Sequence, residues 1–302
     1  MTNKTIEESL PGFQGRIFHN EPMSEHTSYK IGGPADIYAI PKEVPDLQML
    51  LAWLFEHSVP VFVIGDGTNL LVADKGIRGA VVQLGSGFGR VQARGEDVSA
   101  GAAVKISRLL RETIGRGLAG LEGMTGVPGT VGGAIYMNAG TRHGYIADTL
   151  ATVTAVDRQG QLLNLTKDDL DMGYRQSKVH ELGIVVAGAQ FNLTKADTEV
   201  INQLVESRMQ RRRDTQPPGI GTCGSVFKNP MDGHAAELIE SIGAKGMQVG
   251  GARVSSKHAN FIMNTGSATA SDVKELMDTL SNLVQEKCGV VLDPEVQIVG
   301  EW

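Results

Sequence analysis

The sequence predicts an α+β protein of more than one domain. Apolar residues recur at three- and four-residue spacing in several stretches of helical length, and short β-branched runs lie between them. The third observation is 38 glycines gathered in clusters, against only 8 Phe, 5 Tyr and 2 Trp. At 302 residues and 41% apolar content, the chain can hold one large domain or two to three ordinary ones.

The elements follow in order. In "PDLQMLLAWLFEHS" (45–58), Leu47, Leu50, Leu51, Leu54 and Phe55 share one helical face, and Pro45 suits a first turn. "VPVFVIGDGTNLLV" reads as a buried strand ending at Gly65 and opening a loop through Leu70, and "AVVQL" (80–84) as the next strand. From Val91 the pattern changes, and "KISRLLRETIGRG" predicts a helix with Ile106, Leu109, Leu110 and Ile114 inward. The glycine-dense stretch 120–140 follows, then strands "TVTAVD", "LLNL" and "IVVAGAQFNL", then a long helix over 197–214 with its cations at the C-terminal end. "TQPPGIG" breaks the chain. Beyond it the pattern predicts a strand "SVFKN", a helix "HAAELIESIG", strands near "MQVGGARVS" and "NFIMN", a helix "ASDVKELMDTLSNLVQEKCG", and strands at "VVL" and "VQIVGEW". The resulting segments are 1–90, 91–210 and 211–302.

A net charge of −6 argues against general affinity for nucleic acid or an anionic membrane. "MTNKTIEESL" lacks an apolar signal core, and no run of eighteen apolar residues occurs, so a cytoplasmic protein without a membrane span is expected. Cys223 and Cys288 have no C-x-x-C partner, and the seven His never take paired metal-ligand spacing. Neither disulfide nor metal is expected.

"GIGTCGSVFKNP" (219–230) satisfies G-x-G-x-x-G at Gly219, Gly221 and Gly224, but a dinucleotide fingerprint needs a strand before and a helix after. Here Pro217 and Pro218 precede it and strand-like residues follow. "GDGTNLLV" (65–72) is different. Successive backbone N–H groups after a strand can form an anion-binding concavity, with Thr68 and Asn69 adding side-chain donors. A tight turn using Gly for φ and Asn for capping explains that loop equally well. The second cluster, "GMTGVPGTVGGAIYMNAG", is too long for one turn and supplies Asn138 as a polar handle. Two such loops could grip one elongated ligand, for which a dinucleotide such as FAD is the natural candidate.

The chain resembles the bacterial UDP-N-acetylenolpyruvoylglucosamine reductases through "HTSYKIGGPAD", "GDGTNLLV", "GVPGTVGGAIYMNAG", "YRQSKVH", "RRRDTQPPGIGTCGSVFKNP", "SSKHANFIMN" and "LDPEVQIVG". These motifs run in order through nearly the whole chain. The resemblance implies a vanillyl-alcohol-oxidase (PCMH) type FAD-binding domain in two subdomains, 1–90 and 91–210, and a C-terminal α+β substrate domain, 211–302. It implies NADPH-dependent reduction of UDP-N-acetylglucosamine enolpyruvate to UDP-N-acetylmuramate, by a monomer or weak dimer. Longer relatives carry an inserted Tyr that folds over the substrate; 175–211 contains no Tyr, which is the pattern of a shorter subclass. As FAD ligands it implies Tyr29, then Gly65, Asp66, Gly67, Thr68, Asn69 and Leu70 in the first loop. In the second it implies Gly123, Val127, Pro128, Gly129, Gly132, Gly133, Asn138, Ala139 and Gly140, with Val185 further on.

The catalytic positions implied are Arg175, Ser225 and Glu295. Hydride delivery to the β-carbon of an enol ether leaves carbanion character beside the carboxylate, and a preoriented Ser225 O–H can protonate that carbon. Without the resemblance, Ser225 reads as a strand-entry serine satisfying a backbone group; a nucleophile elbow would need a helix after it. The Arg175 guanidinium can bind the enolpyruvyl carboxylate through two N–H groups. Glu295 can either donate a proton to that carboxylate or, ionised, hold Arg175. Lys228 and Asn229 are placed near the diphosphate and the substrate, Arg211 contributes from the basic run, and Lys257, His258 and Asn260 support the site. Cys223 reads as a small filler with no redox role. The sequence carries no separate nicotinamide site, so NADPH and sugar are expected to alternate over one flavin face. A flavin oxidase of the same fold, a non-catalytic binding module and a serine hydrolase are the rival readings.

Overall fold

A computed structural model describes residue 6 and residues 10–219 and 221–302. The rest of the polar leader, and Ile220 in the loop before Ser225, lie outside the described residues. In chain order the main elements are β1 (Arg16–Pro22), β2 (Pro34–Ile40), α1 (Val44–Glu56), β3 (Val61–Ile64), β4 (Leu70–Val72) and β5 (Ile77–Gln83). Next come β6 (Val91–Arg94), β7 (Asp97–Gly101), α2 (Ile106–Ile114), α3 (Val131–Tyr136), β8 (Leu150–Val156), β9 (Leu162–Thr166), β10 (Val185–Asn192) and α4 (Thr198–Thr215). The C-terminal part adds α5 (Ala235–Ser241), β11 (Gln248–Val249), β12 (Ala252–Val254), β13 (Ile262–Asn264), α6 (Ala270–Cys288) and β14 (Gln297–Val299). The expected α+β class stands. Among the described residues no helix is long and apolar enough to cross a membrane.

A four-stranded sheet has the order β1-β2-β5-β3, with β3 parallel to β5. A five-stranded antiparallel sheet has the order β9-β8-β10-β7-β6. The small sheet β11-β12-β13 and the parallel pair β14-β4 complete the set, the latter joining Gln297 to Leu70 and Val299 to Val72.

The chain divides into two compact units. One comprises Ile37–Gly65 and Gly79–Gln210 with the leading residues up to His19; the other comprises Asn20–Asp36, Asp66–Arg78 and Arg211–Trp302. This differs from a division into three successive segments, and the cores give the reason. Within the first unit, one apolar cluster gathers Leu47, Leu50, Leu51 and Leu54 of α1 with Ala80, Val82 and Phe88. A second gathers α2 and α3 against β7, β8 and β10. In the second unit, Tyr29, Ile31 and Leu71 bury themselves with α5, α6 and Val226 and Phe227. The segments 20–36 and 66–78 therefore pack with the C-terminal part.

Three local expectations change. Phe55 is half exposed rather than inward. Strand β3 is an edge strand with Val61 and Val63 exposed, because its apolar run is covered on one side only. "SVFKN" and "VVL" form no regular strands: Ser225 and Phe227 make single bridges, to Phe261 and Pro294, and a proline partner has no N–H with which to extend a ladder. Strands β1 and β2 carried too little alternation to be read from sequence.

Helix α6 has the best-defined ends. Thr269 Oγ1 accepts the Asp272 N–H (3.0 Å), and the Asp272 carboxylate accepts the N–H groups of Thr269 (3.0 Å) and Gly251 (3.0 Å). The C-terminal turn closes on Gly289 at φ 71°. Those backbone donors, from Thr269 first and Gly251 second, hold the Asp272 carboxyl below its ordinary range. Thr269→Ala is expected to lower the unfolding free energy by ~1 kcal/mol in urea titration. Because the folded pKa of Asp272 is depressed, its contribution is full above the ordinary aspartate pKa and is lost as pH falls through the depressed value. The stability gap between the parent and Asp272→Asn is therefore expected to be widest at neutral pH and to close in acid.

Candidate active site

In the second unit, the segment around Ser225 is held from two sides. Val226 N–H donates to Asn260 O (2.9 Å), and the Asn260 side chain clasps Phe227, accepting its N–H at Oδ1 (3.0 Å) and donating from Nδ2 to its carbonyl (2.8 Å). On the other side Lys228 N–H donates to Asp293 O (2.8 Å) and Glu295 N–H to Val226 O (2.8 Å). Ser225 and Glu295 therefore stand on directly hydrogen-bonded neighbouring segments, both partly buried. Gly224, at φ 87° with open space around its α-carbon, turns the chain into this position.

The first glycine loop is tied to the same place. Asn69 Nδ2 donates to Glu295 O (3.0 Å), and Gln297 N–H donates to Asn69 O (3.0 Å). Ser28 accounts for the loop's shape: its N–H donates to Gly67 O (3.0 Å), its hydroxyl to Thr222 O (2.8 Å), and its carbonyl accepts from Gly221 N–H (2.9 Å). A side chain on Gly67, at φ 61°, would collide with the His26 carbonyl. The backbone N–H groups of Gly67, Thr68 and Asn69 donate to no protein acceptor among the described residues. Three successive unspent donors in a turn containing a positive-φ glycine are a fit for a phosphate group. Leu70 begins β4 and is buried, and Asp66 is partly buried.

Tyr29, expected as a cofactor ligand, is fully buried in this unit's core. Its hydroxyl lies against the Cys223 thiol without a partner in hydrogen-bond geometry, and burial, with that thiol second, holds its pKa well above the ordinary value. Burial likewise pushes the Cys223 thiol up to about 12, so it is inert as a nucleophile. Both residues pack in the core of this unit.

The remaining substrate candidates are scattered within this unit. Asn229 is exposed, with Oδ1 accepting the first N–H of α5, from Ala235 (3.1 Å), so that atom caps a helix. Lys257 Nζ donates to Arg213 O, at the C-terminal end of α4, and Arg211 is exposed on the same helix. His258 packs edge-on against Phe261, and burial first, then Lys245 and Arg212, lowers its pKa against the opposing pull of Glu240. Lys228 is half-buried beside Asn229.

In the first unit, α3 is not the anion site that a glycine-rich helix start suggests. Val131 N–H donates to Val104 O (2.8 Å), Gly132 N–H to Ala102 O (2.9 Å) and Gly133 N–H to Thr130 Oγ1 (3.3 Å), so the first turn is already satisfied. The glycines here let the chain approach itself. A Cβ on Gly132 would lie 3.0 Å from the Ala102 methyl, one on Gly123 2.8 Å from the Gly144 α-carbon, and one on Gly65 2.6 Å from Thr130 Oγ1. Gly140 is equally tight against Tyr145. Gly129 accepts from Ile106 N–H, Val127 and Ala139 pack on the core, and Pro128 and Gly133 are exposed. Val185 is a core residue. Asn138 is buried, with Nδ2 donating to Gly173 O (2.8 Å) and Oδ1 without a donor among the described residues.

Arg175 sits at φ 56°, a conformation that costs an L-residue about 1–2 kcal/mol. Its Nη2 donates to Gly140 O (3.0 Å), and its guanidinium lies 5.0 Å from the centre of the Tyr174 ring.

Comparison with known proteins bears on both units. Residues 35–166 match the profile described as "FAD binding domain", and residues 216–299 match "UDP-N-acetylenolpyruvoylglucosamine reductase, C-terminal domain". The UDP-N-acetylenolpyruvoylglucosamine reductase of Lachnoclostridium phytofermentans is 41% identical over 290 residues, spanning 95% of this chain and 94% of that protein. The chain belongs to the UDP-N-acetylenolpyruvoylglucosamine reductase family. The Bacillus subtilis reductase is 38% identical over 98% of both chains. The crystal structure of the Thermus caldophilus reductase superposes with a TM-score of 0.82 at 33% identity, covering 94% of this chain and 98% of that one.

The family motifs contained residues whose parts only the fold reveals. Ser28 lies within "HTSYKIGGPAD" and Thr130 within "GVPGTVGG", so position in a motif was the available signal; their backbone partners were not visible in it. Asn260→Leu is expected to destabilise the protein by about 2–6 kcal/mol in urea titration, because it leaves a buried donor and a buried acceptor of Phe227 unpaired at about 1–3 kcal/mol each. Asn260→Asp, which keeps the acceptor, should lose less.

Proposed function

We propose that this chain reduces the enolpyruvyl ether of UDP-N-acetylglucosamine enolpyruvate to the lactyl ether of UDP-N-acetylmuramate, a step of peptidoglycan synthesis, with FAD as resident cofactor and NADPH as reductant. Bound FAD would supply the hydride chemistry that links NADPH to the β-carbon of the enolpyruvyl group. The protein's own part is to hold the ligands and to supply the second hydrogen as a proton. Membership of the reductase family supports the reaction, and the observation that carries the residue assignment is the pairing of Ser225 and Glu295 on adjacent hydrogen-bonded segments.

Ser225 is the proton donor to the carbon beside the carboxylate. A serine hydroxyl is a weak acid, so it needs the strongly basic carbon that hydride addition leaves and an O–H fixed in direction. The Asn260 clamp two residues on supplies that fixation. Arg175 binds the enolpyruvyl carboxylate and stabilises negative charge as it accumulates there. Glu295 stands next to the proton donor and acts on the same carboxylate. The N–H groups of Gly67, Thr68 and Asn69 would hold the FAD diphosphate, and Lys228 with Arg211 the substrate's phosphates. Segments 1–90 and 91–210 serve FAD and 211–302 serves the sugar nucleotide. The reading is of a cytoplasmic monomer or weak dimer, and the net charge of −6 argues against general affinity for nucleic acid.

Anaerobic mixing tests this directly. The flavin colour is expected to bleach with NADPH and to return on adding UDP-N-acetylglucosamine enolpyruvate. Ser225→Ala should retain FAD and bleach at the parent rate, while return of colour slows ~10²- to 10⁴-fold. Loss of both half-reactions, or reoxidation at the parent rate, would remove Ser225 from the role. Oxygen uptake on an alcohol without NADPH would instead favour a flavin oxidase.

A further inference from the structure

The C-terminal end of the Gly-rich segment converges on a single turn. Residues 173–176 close on themselves in both directions, Gly173 N–H donating to Gln176 O (3.1 Å) and Gln176 N–H to Gly173 O (3.3 Å). Arg175 occupies the third position at φ 56°, whereas Tyr174 before it stays out of the positive-φ region. That sign pattern belongs to a type II turn, whose third position ordinarily takes glycine. An arginine relaxes to negative φ, in the type I form, unless something outside the turn prevents it.

Three groups at and just beyond the C-terminal end of α3 do so. Asn138 Nδ2 donates to Gly173 O (2.8 Å), fixing the base of the turn. Gly140 O accepts from Arg175 Nη2 (3.0 Å), fixing its tip. Tyr136 O accepts from Ser177 Oγ (2.8 Å), fixing the exit. Asn138 is the only one of the three that acts through its side chain. It is 5% exposed, itself strained at φ 41°, and its amide is directed at the turn rather than outward. The relaxed turn would carry the guanidinium away from Gly140.

We propose that Asn138 is the positioning residue of Arg175: by anchoring Gly173 it keeps the turn in the strained form that aims the guanidinium. This rests on the reading of Arg175 as the group that binds the enolpyruvyl carboxylate. Asn138 was expected from the sequence to contact FAD, and the proposal assigns its amide nitrogen a different task.

The two half-reactions separate these possibilities. Asn138→Ala is expected to keep its FAD, to be reduced by NADPH within about twofold of the parent, and to be reoxidised by the enolpyruvyl sugar at least tenfold more slowly. In an Arg175→Gln background the same change should slow reoxidation by less than threefold, because the group it aims is already gone. Asn138→Asp, which keeps the volume and Oδ1 but cannot donate to Gly173 O when ionised, should show the same signature and carries the test if the alanine variant does not fold. Flavin loss from both variants, or an equal further loss in the Arg175→Gln background, overturns the positioning role while leaving Arg175 in place. A neutral Arg175→Gln overturns the reading of Arg175 itself, and the proposal with it.

Discussion

One side-chain amide sets the geometry of the segment that carries Ser225. The segment 225–227 lies between two neighbours that each offer it a single bridge, and Pro294 cannot donate to it. A backbone ladder is thus impossible there, and Asn260 takes its place by meeting both polar groups of Phe227. A primary amide can accept from a backbone N–H at its oxygen and donate to a backbone C=O from its nitrogen, so one side chain meets both groups. The direction of Ser225, the attachment of Glu295 to Val226 and the tie from Asn69 to Glu295 all follow from where that clamp places the chain. The surrounding Val226, Phe227 and Leu276 exclude water, which makes each unpaired group there costly and the clamp correspondingly hard to replace.

The glycine clusters serve two separate physical needs. Around α3 they remove side chains so that the helix can lie directly on β7 and the neighbouring turns, and its leading N–H groups are consumed in doing so. In the loop after β3, Gly67 instead supplies a positive φ, and the donors that follow it remain unspent. A helix N-terminus attracts anions only while its N–H groups are available, since the dipole and the hydrogen bonds act at the same atoms. Here availability favours the loop over the helix.

Much of the fold was legible because amphipathic helices declare themselves locally. The spacing of Leu47, Leu50, Leu51 and Leu54 and of Ile106, Leu109 and Leu110 depends on residues within a few turns. The strands were less legible. β1 lies at a sheet edge with a mostly exposed sequence, and β3 looked buried because four apolar residues run together although only one face is covered. The polar candidates divide similarly. Arg175, Ser225 and Glu295 stood out by motif, while the backbone groups that Asn229 and Asn138 each engage with one atom were not legible there.

What the sequence determined by itself was the class of fold, the helices and the motif membership, since these rest on composition, periodicity and residue order. Only the tertiary structure decided that 20–36 and 66–78 pack with the C-terminal part, that Tyr29 is a core residue, and that Arg175 is held in a conformation it disfavours. The reason is range. Asn69 meets Glu295 across 226 residues and Ser28 meets Thr222 across 194, and a hydrogen bond to a backbone atom leaves no trace in the identity of the residue that offers it.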